Sequence, residues 1–189
     1  AELLAQLAIP PDRFLLISIF GASVEEYVDV AKKLAPYGDG LELNLSCPHA
    51  KGLGMAMGQD PALVEEIVSS VKAAVGVPVV AKLTPNVPNI AEIARAAVNG
   101  GADAICAINT IGPERYDAFG HPILSNEKGG VSGKEIMPVA LKCVSEIRDA
   151  VNCPIIACGG ISGATDVHRF REKGASVFGI GSALIGMTT

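Results

Sequence analysis

The stretch "CPIIACGGISGATDVHRFREKGASVFGIGSAL", Cys153 to Leu184, decides how the rest of the chain is read. It opens with a short apolar run, "CPIIACG" (Cys153 to Gly159), and closes on a second, "SVFGIG" (Ser176 to Gly181). Both are nearly continuous in hydrophobicity, as strands buried on both faces are. The segment between them, "GATDVHRFREKG", has helical spacing and ends in a glycine suited to a left-handed C-cap. Each strand runs out into small residues with bare amides, "CGGISG" (Cys158 to Gly163) and "GIGSAL" (Gly179 to Leu184). Glycine lets the backbone approach a phosphate, and amides at a following helix N-terminus hold its charge. One such turn is a weak signal, because glycine also simply turns a chain. Two of them on consecutive strands match the phosphate site that a (β/α)8 barrel often carries after strands seven and eight.

Toward the N-terminus the same unit repeats. Four more apolar runs are "LLISIF" (Leu15 to Phe20), "LELNL" (Leu41 to Leu45), "VPVVAKL" (Val77 to Leu83) and "AICAIN" (Ala104 to Asn109). Between them, "SVEEYVDVAKKLAP" puts Ser23 at an N-cap with Glu26 three residues on, a capping box. "DPALVEEIVSSVKAAV" has Asp60 as a cap and Pro61 at the first helical position. "NIAEIARAAVNGG" and "GKEIMPVALKCVSEIRDAV" continue the series, with Pro138 in a first turn where its missing N–H costs least.

Strand, loop and helix thus alternate about six times, which fits either an open doubly wound sheet or a closed barrel. Polar residues cluster after successive strands, the glycine pairs follow the last two, and no GxGxxG opens the chain. The expected fold is α/β, a (β/α)8 TIM barrel. A barrel needs eight strands; if the last two are seven and eight, this chain carries strands three to eight. It is then expected to lack the first two βα units and the last helix, as a single partial-barrel domain over residues 1–189.

Composition removes several function classes. The chain has 189 residues, 49% of them hydrophobic, with a formal net charge of −5 and no tryptophan. That gives no basic face for nucleic acid or an anionic membrane, and few aromatic platforms for bases. No apolar run approaches a membrane span, and no basic segment followed by an apolar one marks secretion, so the expected compartment is the cytoplasm. The cysteines, Cys47, Cys106, Cys143, Cys153 and Cys158, are odd in number and contain no CxxC pair. Free thiols are expected, with neither a zinc cage nor a disulfide framework.

In a barrel, the strand ends converge on one mouth, where active sites are built. Those ends carry Asn44, Ser46 and Cys47; Lys82, Thr84 and Asn86; Asn109 and Thr110; Gly159 and Gly160; and Gly181 and Ser182. A lysine that ends an apolar strand is disfavoured unless it meets an anion or an electron-rich ligand, and a flavin is such a ligand. The bland alternative is a snorkelling surface lysine. Asn44, Asn109 and Thr110 offer donors and acceptors to a planar polar ligand, or cap turns. Cys47 lies in "NLSCPHAKGLGMAMGQDP" (Asn44 to Pro61), where a thiol can pack or exchange a proton. The long stretch from Ile111 to Lys128 is expected to cover the mouth, a small hairpin being one form of such a cover, with a disordered insertion as the bland alternative.

Taken together, "ELNLSCPH", "AKLTPN", "AINT", "GGVSG", "CGGIS" and "GIGSA", in this order, resemble the FMN-containing dihydroorotate dehydrogenases of class 1, with a 1B-like character. They are also similar to the pyrimidine domain of dihydropyrimidine dehydrogenase. The resemblance runs from Phe14 to Leu184. It implies a (β/α)8 barrel with FMN as cofactor at its mouth. It also implies that Cys47 is the base that takes the C5 proton while hydride passes from C6 to the flavin. Asn44, Asn109 and Thr110 match residues that hold the pyrimidine ring, and Lys82 matches a flavin-contacting lysine. Gly130, Gly159, Gly160, Gly181 and Ser182 match backbone around the ribityl phosphate.

Two departures qualify the match. His49 stands where many dihydroorotate enzymes have a second substrate-binding asparagine, and "GMAMGQDP" is closer to the dihydropyrimidine dehydrogenase pattern. The family's other flavin lysine and a further substrate asparagine belong to early strands not found here. The expected function is FMN-dependent oxidation of dihydroorotate to orotate in pyrimidine biosynthesis. Reduction of uracil or thymine, and a non-catalytic phosphate-binding barrel fragment, stay open beside it. The implied partners are a small dihydropyrimidine, a second subunit carrying FAD and an iron-sulfur cluster, and a second copy in a homodimer. Neither nucleic acid nor membrane is expected as a partner.

Overall fold

A computed structural model describes residues 4–45, 57–112, 119–121 and 129–185. Strands and helices alternate as β1 (Leu16–Ile19), α1 (Val24–Leu34), β2 (Gly40–Asn44), α2 (Pro61–Ala74), β3 (Val79–Leu83) and α3 (Ile90–Asn99). They continue as β4 (Ala104–Ala107), α4 (Met137–Ala150), β5 (Ile155–Cys158), α5 (Ala164–Glu172) and β6 (Val177–Gly179). Neighbouring strands are all parallel, and the sheet order is the chain order, β1 to β6.

That order separates the two candidate folds. A doubly wound sheet reverses direction at a switch point and so has helices on both faces. Here no reversal occurs, so right-handed crossovers put every helix on one side. Successive helices pack on one another, α1 on α2, α2 on α3, α3 on α4 and α4 on α5, which a ring of helices outside a curled sheet requires. The described residues form a curled parallel half-barrel.

The core lies between the sheet and these helices. Along each strand alternate residues point outward, and Leu41, Leu43, Ala81, Leu83, Ile105 and Ile155 on that face are all buried. They meet Ile67 and Val71 of α2, Ile93 of α3, Val144 and Ile147 of α4, and Phe170 of α5, in one apolar cluster. Each Val, Leu, Ile or Phe side chain among them contributes roughly 1.5 to 3 kcal/mol by leaving water. Burial on both faces, expected for every strand, is found only in the middle of the sheet. Inner-facing Val80 and Cys106 are buried, whereas Ser18 on β1 and Val177 on β6 are exposed. A curled open sheet covers its central strands with its own side chains and leaves its flanks bare.

Local signals place the helix starts correctly. Ser23 Oγ accepts from the Glu26 N–H at 3.2 Å, and Glu26 Oε2 accepts from the Ala22 N–H at 2.7 Å, so the reciprocal arm of the box lands one residue early. Asp60 caps α2 through the Ala62 N–H at 2.9 Å, with Pro61 in the first turn, and Pro138 sits in the first turn of α4. Glycines at positive φ follow two of the helices: Gly101 and Gly174, at φ of 92° and 93°, come after α3 and α5. By contrast, α2 and α4 end on extended Val75 and Val151. Ile111 and Val131 form an antiparallel bridge that closes the base of the long stretch after β4. Most of that stretch, residues 113–118 and 122–128, lies outside the described residues. None of the described helices is long and apolar enough to cross a membrane.

Candidate functional site

A cavity of about 480 Å³ opens at the C-terminal ends of β3 to β6. Its wall is built from five pieces: Lys82; Ile108 to Thr110; Ser132 to Lys134 with Ile136; and the two glycine turns, Cys158 to Ser162 and Gly179 to Ala183. Seven residues singled out from sequence meet there: Lys82, Asn109, Thr110, Gly159, Gly160, Gly181 and Ser182. Asn44 joins them one step back, its Oδ1 accepting from Asn109 Nδ2 at 2.8 Å. Tyr27 of α1 fixes the strand end by donating its hydroxyl to the Asn44 carbonyl at 2.8 Å. Cys47 and His49 lie outside the described residues.

Gly130 is not part of the cavity wall. A Cβ there would collide with the Thr110 side chain, so close approach to Thr110 is what requires glycine at this position. Asn86 braces the same region from the β3 end. Its Nδ2 donates to Thr84 Oγ1 at 3.0 Å and to the Thr110 carbonyl at 3.2 Å, and its Oδ1 accepts from the Gly112 N–H at 3.3 Å. With these bonds made, Asn86 holds Thr110 in place.

The two glycine turns differ in what demands glycine. Gly160 has φ of +81°, and a Cβ on it would stand 2.8 Å from the Gly133 carbonyl oxygen and 2.9 Å from Met137 Cβ. The turn after β5 is thereby pressed against the entry to α4. Gly181 has ordinary negative φ, and a Cβ there would meet nothing within 4 Å. A side chain at 181 would only take up open space beside the cavity, as expected for a cradle wall.

Lys134, at the entry to α4, reaches the turn after β5. Its Nζ donates to Asp166 Oδ1 at 2.5 Å and to Ser162 Oγ at 3.4 Å, while Asp166 Oδ2 accepts from the Ser162 N–H and hydroxyl, both at 3.0 Å. The Lys134 hydrogen bond, helped by the Ser162 amide, holds the Asp166 carboxyl at about 2, well below its ordinary value. Across the cavity mouth Ser182 Oγ reaches Ser132 Oγ at 3.3 Å.

Deeper in the half-barrel, Lys82 Nζ lies 3.3 Å from Glu42 Oε1, which also accepts from Ser18 Oγ at 2.9 Å. Burial pulls the Lys82 ammonium down, but Glu42, with Cys106 and Cys158 behind it, outweighs burial and raises it. Lys82 is therefore a cation at neutral pH. Cys106 and Cys158 bring their Sγ atoms to 3.6 Å on adjacent strands. The contact with Cys158, together with burial, drives the Cys106 thiol upward, so it stays protonated. Cys143 and Cys153 are free thiols away from this wall, and burial pushes Cys143 up to about 11.

Glu42, Ser18, Lys134 and Asp166 were not singled out from sequence. For Glu42 the signal was available: a carboxylate in the apolar run "LELNL" is as anomalous as the lysine in "VPVVAKL". For the Lys134 to Asp166 pair, 32 residues apart, nothing local announces the contact.

Comparison with known proteins bears on family and fold. The family model described as dihydroorotate dehydrogenase matches residues 5–188. A protein of Methanocella arvoryzae named dihydroorotate dehydrogenase B (NAD(+)), catalytic subunit, is 50% identical over 171 residues, covering 90% of this chain and 56% of its own length. A protein of the same name from Pyrococcus horikoshii is 47% identical over the same shares. The chain thus spans about half the length of the curated relatives it matches. Among solved structures, a dihydroorotate dehydrogenase of Eimeria tenella in complex with ferulenol superposes with a TM-score of 0.72 at 22% identity, over 86% of this chain and 49% of that one. That likeness concerns the fold. The chain belongs to the dihydroorotate dehydrogenase family.

Proposed function

We propose that this chain carries the flavin and pyrimidine site of an enzyme that oxidises dihydroorotate to orotate. One observation supports the reading most: Lys82, Asn109, Thr110 and both glycine turns line a single cavity at the strand ends of a family member. In the complete protein the half-barrel closes into (β/α)8 form, and residues 1–189 are its central and C-terminal part.

The residues present fit FMN. The open space beside Gly181, the small Ser182 and the turn at Gly159 and Gly160 suit its phosphate, and Lys82 suits its pyrimidine edge. When bound, FMN accepts the hydride that leaves C6 of the substrate. The chain's own residues do the rest. Asn44 and Asn109, already bonded to each other, orient the substrate ring, with Thr110 beside them. The Cys47 thiolate takes the C5 proton, and loss of that proton and of the C6 hydride turns the C5–C6 single bond into a double bond. Gly130 serves the site through Thr110 rather than through phosphate. Relatives are named catalytic subunits of an NAD(+)-linked enzyme, which supports a second subunit as partner; the class 1B resemblance implies that this subunit would carry FAD and an iron-sulfur cluster.

In the complete protein, Cys47→Ser is expected to lower dihydroorotate turnover by 10²-fold or more while FMN stays bound. Turnover within threefold of the parent would remove Cys47 from the mechanism. His49 favours a second reading, reduction of uracil or thymine, which the choice of substrate separates from the first.

A further inference from the structure

Only two charged side chains occur in the six strands, Glu42 on β2 and Lys82 on β3, and they are paired. Both project from the inner face, where Glu42 is 7% exposed and Lys82 stands in the cavity wall. Ser18 of β1 donates to the same carboxylate oxygen that receives the lysine, so three adjacent strands converge on one atom. Such a pair is poor value for stability alone, because two desolvated ions seldom outdo apolar side chains of the same volume. Its presence on an inner sheet face with no other charged strand residue calls for another use.

Lysine is a point charge on a flexible four-carbon stem. The carboxylate at its side fixes where the ammonium sits. It also cancels part of the positive field that the lysine presents to anything beyond it, since opposite charges a few Å apart act at a distance as a dipole. Negative charge develops on a flavin as it is reduced, so the field at Lys82 bears on how readily reduction occurs.

We infer that Glu42 is a positioning residue of the redox site: through its ion pair it holds Lys82 and sets the reduction potential of the bound flavin. The inference rests on the flavin reading proposed above and adds to it a residue that does not touch the flavin.

The test uses the complete, FMN-loaded protein. Glu42→Gln keeps the shape and removes the negative charge, so it should favour reduced FMN about tenfold, a rise of about 30 mV in a two-electron midpoint potential. Sulfite affinity of the oxidised flavin should rise in the same sense and by a similar factor. Glu42→Asp keeps the charge and should restore the potential to within threefold of the parent. Should Glu42→Gln fail to fold, Ser18→Ala is measured instead. Loss of that hydroxyl leaves the carboxylate to Lys82 alone, and the potential should fall, by two- to threefold in the same equilibrium. A flavin that binds normally but whose potential does not move in either variant overturns the inference alone. A complete protein that binds no flavin overturns the reading beneath it.

Discussion

Gly160 and Gly181 belong to equivalent-looking turns yet answer to different constraints. Gly160 combines positive φ with contacts of 2.8 and 2.9 Å awaiting any Cβ, so Gly160→Ala should destabilise the complete protein by about 1–3 kcal/mol in chemical denaturation. Gly181→Ala meets nothing within 4 Å and should leave stability within about 0.5 kcal/mol. Its methyl enters the open space assigned to the phosphate, so FMN affinity should fall severalfold, read by fluorescence titration. The reverse assignment, 181 for stability and 160 for affinity, would mean that the phosphate does not lie along the β6 turn. A reader of the sequence sees GG and GIGS as similar signals. Only the position of Met137 and of the Gly133 carbonyl tells them apart.

Between elements, the bond network of Lys134, Asp166 and Ser162 ties the start of α4 to the start of α5. The Asp166 carboxyl ionises at about 2 in the folded chain against an ordinary value of 3.8. A depressed carboxyl contributes stability that is fully present above the unfolded value and is lost as pH falls through the folded one. Asp166→Asn should therefore lower the denaturation midpoint by a constant amount above pH 5. The difference from the parent should then shrink from about pH 4 to pH 2. A difference independent of pH would assign the effect to packing rather than to charge. Elements themselves were largely legible: Ser23, Asp60 and Pro138 act on neighbours within a few residues, so their helix starts could be read directly. Most strand ends were read one or two residues too long, as "AICAIN" runs to Asn109 where β4 ends at Ala107, although Ile108 and Asn109 still donate to the Cys158 and Leu83 carbonyls. Each charge of the Glu42 and Lys82 pair stands out in its own apolar run, but that they meet, 40 residues apart, depends on register between strands.

At the scale of the molecule, the sequential order of six parallel strands is what makes one cavity out of five separated motifs. Each βα turn alone offers a cap, a lysine or a pair of glycines. Curling the sheet brings Lys82, Asn109 and the two glycine turns around a common space, which the choice of a barrel over a doubly wound sheet anticipated. What the strand count could not supply was the exposure of Ser18 and Val177 on the flanks, which depends on what lies beside them. The central claim is that this space serves dihydroorotate and FMN. It is tested most directly by holding the complete protein under anaerobic conditions, recording the flavin absorbance, and adding dihydroorotate and dihydrouracil in separate samples. Bleaching of a bound flavin by dihydroorotate, with no response to dihydrouracil, is the predicted result. Bleaching by dihydrouracil alone, or a purified protein without flavin, would contradict it.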